Sequence, residues 1–196
     1  MALRRLDLRG RAGDRRTLRQ LLPAPVDEQR RSAEAVTEII AEVRRDGDAA
    51  LRRLTQAFDG VSLDEIRVPG TEAAAALERI PPELREALEV AHRRIAAYHA
   101  HESACEVEPL RSEGVTVRHL VRPVRRAGCY APGGRARYPS TVLMTATPAR
   151  VAGVAEVVLC VPPGPEGRVD DASLAAAALA GIDEIYRVGG AQAVAA

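Results

Sequence analysis

Lysine is missing altogether, so the 28 basic residues are all arginine. That excludes a Walker-type phosphate lysine and a Schiff-base lysine. Tryptophan is absent as well, phenylalanine occurs once, and aromatic residues make up 3% of the chain. Stacking platforms for single-stranded nucleic acid therefore have almost nothing to be built from. Charge imbalance is also lacking: 28 basic against 27 acidic residues leave a net charge of +1. No bulk electrostatic footprint of nucleic acid or of an anionic membrane surface remains. The three cysteines, Cys105, Cys129 and Cys160, are odd in number, widely spaced and form no CxxC pair. Zinc-ribbon and thioredoxin-like motifs are thereby excluded, and a disulfide framework is disfavoured. Long apolar runs are missing too. Residues Met1 to Arg16 alternate arginine and leucine with acidic residues and lack the apolar core of a signal peptide. The most apolar window, Val151 to Val161, contains Glu156 and falls well short of the ~20 residues of a membrane span. A soluble, cytoplasmic protein is expected.

What is present is ordinary globular material. The chain has 196 residues, 46% hydrophobic and 28% charged, enough for one domain or two small ones. The first half reads as helical. Ser32 to Arg45 places Ala35, Val36, Ile39, Ile40 and Val43 at helical spacing. Gly47 stops that helix, and Asp48 caps a second one that ends at Gly60. A short strand is expected at Glu65 to Val68, stopped by Pro69-Gly70. Thr71 caps a third helix, and Pro81-Pro82 opens a longer one from about Glu83 to His101. Glu106 to Leu110 and Val115 to Val121 alternate in period two around Ser112-Glu113-Gly114, the pattern of a hairpin. Pro123 ends it. The domain boundary is placed near Leu120 to Arg125, giving residues 1–121 as a helical region plus hairpin and residues 122–196 as a second unit.

That second unit alternates strand and helix. Ala127 to Tyr130 is a strand, followed by a Gly-rich loop to Tyr138. A helix runs from Ser140 toward Ala152, which Pro148 is expected to bend or shorten. Glu156 to Val161 is almost continuously apolar, as suits a parallel strand covered on both faces. Asp171, near its cap, begins an alanine-rich helix to Ala180. Glu184 to Val188 is a third strand, and Gly189-Gly190 leads into a helix from Ala191. Three strands separated by such helices imply an α/β fold with a right-handed, doubly wound parallel sheet. The sequence stops just as the last helix begins, which reads as part of a larger design.

Two loops carry candidate chemistry. Cys129 to Tyr138 lies after a strand and before a helix, where open α/β sheets gather ligands. Gly133 and Gly134 would let backbone N–H groups approach a phosphate, Ser140 and Thr141 add hydroxyls, and Arg135 and Arg137 add charge. The loop is not GxGxxG, and a plain turn fits the spacing equally well. Val188-Gly189-Gly190-Ala191-Gln192 is a second strand-to-helix turn, with Gln192 in the first helical turn. Taken alone it reads as structural. The spacing of His92 and His99 suits one helix face, but His101 does not share it, and no three or four ligands converge. Cys129 precedes the first loop, where a thiolate could attack an aldehyde, whereas Cys160 lies in an apolar strand and reads as inert core. The arginine-rich runs at Arg4 to Arg19 and Arg122 to Arg126 read as solvated surface.

Together these residues resemble the histidinol dehydrogenases. The likeness rests on Arg122-Pro123-Val124, on Cys129-Tyr130-Ala131-Pro132-Gly133-Gly134 and on Tyr138-Pro139-Ser140-Thr141-Val142-Leu143-Met144. It continues through Ala146 to Val154 and Tyr186 to Ala196, and Gly47-Asp48, Thr55 and Phe58-Asp59 agree with it. The resemblance implies a zinc-dependent, NAD-linked enzyme of histidine biosynthesis that oxidises L-histidinol to L-histidine with two NAD and works as a homodimer. It implies an N-terminal helical region followed by an incomplete Rossmann-like NAD-binding half. Tyr130 and Gln192 match NAD-contacting positions, with Gly133, Gly134 and Ser140 as further candidates. Ala131 departs from the bulkier residue common after that tyrosine. By the same resemblance, the zinc ligands and the acid/base pair lie beyond Ala196, so no catalytic or metal-binding residue is assigned here. The chain alone is expected to be inactive. A relative acting on another alcohol, or a non-catalytic subunit completed by a partner chain, remains compatible with these residues.

Overall fold

The computed structural model describes residues 7–10, 16, 18, 21, 26–103, 108–133 and 136–196. Among them, helices α1 (Val26–Asp46), α2 (Asp48–Asp59), α3 (Gly70–Arg79) and α4 (Pro82–Ser103) come first. A hairpin of β1 (Leu110–Ser112) and β2 (Val115–Val117) follows. Then β3 (Arg126–Tyr130), α5 (Pro139–Val151), β4 (Glu156–Cys160), α6 (Asp171–Leu179), β5 (Glu184–Tyr186) and α7 (Gly190–Ala195) alternate to the end. The three later strands form a parallel sheet in the order β3-β4-β5.

Pleating sorts the sheet into two rows. Cys129, Leu159 and Ile185 are in register and pack into one core with residues of α3, α4, α5 and α6. One residue further along, Tyr130, Cys160 and Tyr186 are in register and pack into a second core with Val43, Leu51, Leu54, Ile66, Val188 and Ala193. Successive side chains on a strand point to opposite faces, so helices cover both sides of the sheet. Continuous apolar runs such as Val157–Leu159 are what such a doubly covered strand requires. Helices α3 and α6 meet through small residues, with Ala76, Ala175, Ala176 and Ala177 fully buried. Arg79 closes that contact from the rim by donating two hydrogen bonds to Asp171, at 3.0 and 2.7 Å.

Several expectations are corrected. Glu65 to Val68 is not a strand of its own. It forms an isolated antiparallel bridge, Arg67 to Tyr186, with Val68 N–H donating to Ile185 and Arg187 N–H to Ile66. Proline at 69 cuts it short, and Arg187 pins it by donating to the Glu65 carbonyl at 2.8 Å. Helix α5 runs through Pro148 to Val151. Asp48 makes no side-chain cap, and on α6 it is Asp170, one residue earlier than expected, that accepts from Ser173 N–H. The hairpin is shorter than its alternation suggests. Ser112 pairs with Val115, leaving Glu113 (φ 47°) and Gly114 (φ 81°) as a two-residue turn with both φ positive, the geometry that matches strand twist. Every residue of β1 and β2 is exposed. Arg126 is half-exposed rather than merely solvated. It bridges all three strands by donating to Glu156 on β4 and Glu184 on β5. Its guanidinium holds the Glu184 carboxyl below the usual range. Among the described residues no helix is long and apolar enough to cross a membrane.

Candidate functional site

The carboxyl ends of the three parallel strands converge. β3 ends at Tyr130, β4 leads into Pro162, and β5 leads into Gly189-Gly190 and α7. Between them lies a pocket of about 260 Å³, lined by Tyr130, Gly133, Pro162, Gly190, Ala191 and Gln192, and by Ile39, Phe58 and Asp59 from α1 and α2. Glycine lets these loops close on one another. A Cβ on Gly189 would lie 2.5 and 2.8 Å from ring carbons of Pro162, and one on Gly133 would lie 3.2 Å from the same ring. Gly190 has φ +63°, and a Cβ there would sit 2.5 Å from Gln192 Oε1. Side chains disfavour both conditions.

Two residues that line this pocket hold buried oxygens without partners among the described residues. Gln192 is 1% exposed, yet its Oε1 has no hydrogen-bond partner among the described residues, and neither has the buried Asp59 Oδ2. Orphaned buried oxygens are uncommon, because each costs roughly 1–3 kcal/mol. The Gly190 N–H donates to the Tyr130 hydroxyl at 3.4 Å. That leaves the tyrosine's own proton available to another acceptor.

A second, larger cavity of about 670 Å³ opens on the same face of the sheet. Tyr130, Cys160 and Tyr186 form its floor, and Asp48, Arg52, Arg67 and Arg126 contribute to its lining. Tyr130 lines both cavities.

The structure therefore brings Tyr130, Gly133 and Gln192 together. Ser140 sits exposed in the first turn of α5 and lines neither cavity. Gly134, Arg135 and Cys105 lie outside the described residues. Ile39, Phe58, Asp59 and Pro162 were not marked as site residues by pattern. Phe58-Asp59 stood out only within the family resemblance.

Cys129 and Cys160 are not placed as nucleophiles. Burial pushes the Cys160 thiol up to about 11 and also raises that of Cys129, so both stay protonated at neutral pH. Treating the native chain with iodoacetamide near neutral pH should leave both unmodified in a peptide mass map, with labelling only after unfolding. Rapid native labelling of Cys129 would restore the thiolate reading. Nor do the histidines assemble. His92 Nδ1 lies 3.1 Å from Thr147 Oγ1 between α4 and α5, and His99 pairs with Glu102. Among the described residues no three His, Cys, Asp or Glu side chains converge as a metal site.

Parallel strands with glycine turns and a pocket at their carboxyl ends define an open α/β fold with a cavity where such sheets hold ligands. Residues 23–196 match the family model of histidinol dehydrogenase. Over 164 residues the chain is 51% identical to a histidinol dehydrogenase of Synechococcus sp., covering 83% of this chain and 38% of that relative. Over 196 residues it is 46% identical to one from Xanthomonas campestris pv. campestris, covering 97% and 44% respectively. The crystal structure of histidinol dehydrogenase from Elizabethkingia anophelis superposes with a TM-score of 0.78 at 34% identity, over 89% of this chain and 39% of that one. The chain belongs to the histidinol dehydrogenase family. It spans about 38% of the length of curated relatives such as the Synechococcus protein.

Proposed function

We propose that this chain is the N-terminal portion of a cytoplasmic, homodimeric histidinol dehydrogenase, and that the pocket at its strand ends holds part of NAD. The observation that carries this reading is the meeting in one pocket of Tyr130 and Gly133, from the end of β3, with Gln192, from beyond β5. The residues fit such a group: the glycines let the three strand-end loops pack closely around one pocket, and Gln192 Oε1 is buried without a partner among the described residues. When bound, NAD would supply the hydride acceptor that oxidation of an alcohol carbon needs. In this chain, Gln192 Oε1 would accept a hydrogen bond from the nucleotide, and the Tyr130 hydroxyl would donate one. Gly133 and Gly189 let the loops after β3 and β5 close on Pro162, and Gly190 leaves room for the Gln192 side chain. Helices α1 and α2 close the pocket on the side away from those loops.

Zinc belongs to the activity that the family name implies, but the described residues do not fit it. We place its ligands in the part of the relatives' length that this chain does not span. The reaction thus needs more protein than these residues provide, in keeping with their share of the relatives' length.

A chimaera tests the reading. Residues 23–196 replace the matching segment of the Synechococcus relative, and NAD reduction is followed after adding L-histidinol. Turnover within about tenfold of the parent is expected, and Gln192→Ala should raise the KM for NAD by about tenfold, the cost of one buried hydrogen bond. A folded chimaera that binds NAD but leaves it unreduced by histidinol would overturn the assignment.

A further inference from the structure

The β1–β2 hairpin is built like half of a sheet. Its paired residues Leu110 and Val117, and Ser112 and Val115, share one face, while Arg111 and Thr116 share the other. The first face is apolar yet uncovered: Leu110 is 66%, Val115 60% and Val117 57% exposed. Every residue from Leu110 to Arg126 is exposed, and among the described residues no further strand joins the hairpin. A two-stranded ribbon with strands of 3 residues is at best marginally stable in water. It gains most from another strand beside it.

The two edges of the ribbon differ. Around a two-residue turn the closing pair, Ser112 and Val115, exchanges hydrogen bonds, and the next pair, Arg111 and Thr116, does not. The N–H and C=O of Thr116 therefore point to the open edge of β2, and those of Arg111 to the open edge of β1. Strand β2 reads Val-Thr-Val, three strand-forming residues with none of the charge, proline or bulge that blunts an edge. Strand β1 carries Arg111 at its centre. Two copies joined antiparallel there would set Arg111 against Arg111, a destabilising like-charge pair.

We infer that β2 pairs antiparallel with β2 of a second copy of this chain, about a two-fold axis at Thr116. This rests on the homodimer of the proposed reading and gives that dimer a contact. Charge complementarity selects the second copy as the occupant. With Thr116 opposite Thr116, Val115 faces Val117 of the second copy on both sides of the axis. Continuing the same register sets His119 opposite Glu113 and Arg118 opposite Gly114, all exposed residues. Each copy's acidic turn thus meets the other's basic strand end. One patch serves both partners, as a two-fold contact requires. The Thr116 N–H of each copy donates to the Thr116 carbonyl of the other, and the two apolar faces become one. Arginine on both outer edges stops growth at two copies.

Sedimentation equilibrium of the chain, with cross-linking of Thr116→Cys, tests the inference. The contact is small, so a dimer dissociation constant of about 100 µM is expected, and the chain is largely monomeric in a dilute melting experiment. Proline at 116 spares the β1–β2 ladder, because the N–H it removes points outward. Thr116→Pro should therefore weaken the dimer about tenfold or more without lowering the melting temperature. Paired residues stand about 5.5 Å apart at Cα, within reach of a disulfide. In a Cys105→Ser background, Thr116→Cys should cross-link on mild oxidation, and Arg111→Cys about tenfold more slowly. Equal rates from the two positions would mean chance collision and overturn the inference. Assembly beyond a dimer would do the same, since it needs the β1 edge. A dimer that persists in Thr116→Pro and leaves Thr116→Cys unlinked removes the hairpin contact and leaves the homodimer standing. A chain monomeric up to about 1 mM also overturns the inference. A Synechococcus chimaera still dimeric in that case keeps the proposed homodimer, and a monomeric one removes both.

Discussion

Leu159→Ala should destabilise the chain by about 2–5 kcal/mol, the usual range for emptying a buried leucine site. Leu159 lies on the central strand of the sheet and is 0% exposed. Cys129 and Ile185 flank it in register, and its side chain enters the core shared with α5 and α6. Strand partners on both sides hold its backbone, so the neighbours cannot collapse to fill the gap. For a chain of this size the loss corresponds to a fall of about 5–15 °C in melting temperature. Val115→Ala in the exposed hairpin is the matched control, with an expected effect within about 0.5 kcal/mol. Thermal unfolding followed by circular dichroism reads both. Similar shifts for the two variants would mean that the row through Leu159 is not the core of the fold.

Gly189→Ala should have the second-largest effect, and it should strike stability and binding together. The residue has φ −118°, which any amino acid adopts, so backbone strain contributes nothing. The whole penalty is overlap: the new methyl carbon would sit 2.5 and 2.8 Å from Pro162 ring carbons. A proline ring cannot rotate away, so β5 and the loop after β4 must separate. Overpacking of this kind costs about 1–3 kcal/mol. The separation also opens the pocket whose wall Pro162 forms, and the NAD dissociation constant should rise by about tenfold or more. Gly133→Ala, with contacts of 3.2 Å to the same ring, should show both effects in milder form. Parallel melting and NAD titrations give the ranking. A Gly133 variant more damaged than the Gly189 variant would contradict the packing around Pro162.

Much of this was legible in the sequence because it depends on local signals. The apolar run at 156–160 has few alternatives to a doubly covered strand, and Gly60 and Gly189-Gly190 punctuate the chain where the helices end and begin. Tyr130 ends one parallel strand and Gln192 follows another, so the sheet carries both to one edge. What was not legible depends on partners distant in sequence. The stretch 65–68 looked like a strand, yet only a single bridge to Tyr186 uses it. Pro148 carries a general helix-breaking signal, but α5 continues past it, anchored on one side by buried Val142, Leu143, Ala146 and Thr147. Ser140 is near the Gly-rich loop in sequence and points to solvent in space. Asp59 was the least visible. An acid at the end of an amphipathic helix reads as surface, and nothing in its spacing reveals an oxygen sealed against Gln192's pocket.

The antiparallel bridge has a consequence for how the protein is made. It ties residues 66–68 to 185–187, and Arg187 reaches back 122 positions to the carbonyl of Glu65. Arg79 likewise waits for Asp171, 92 positions later. During synthesis at about 5–20 residues per second, α3 emerges several seconds before the partners that bury it. Its alanine face and the rim of its clasp stay unmatched until almost all of these residues exist. Closing such long loops is also slow on entropic grounds. The face of α3 that packs on α6 therefore stays uncovered until residues 171–179 have been made.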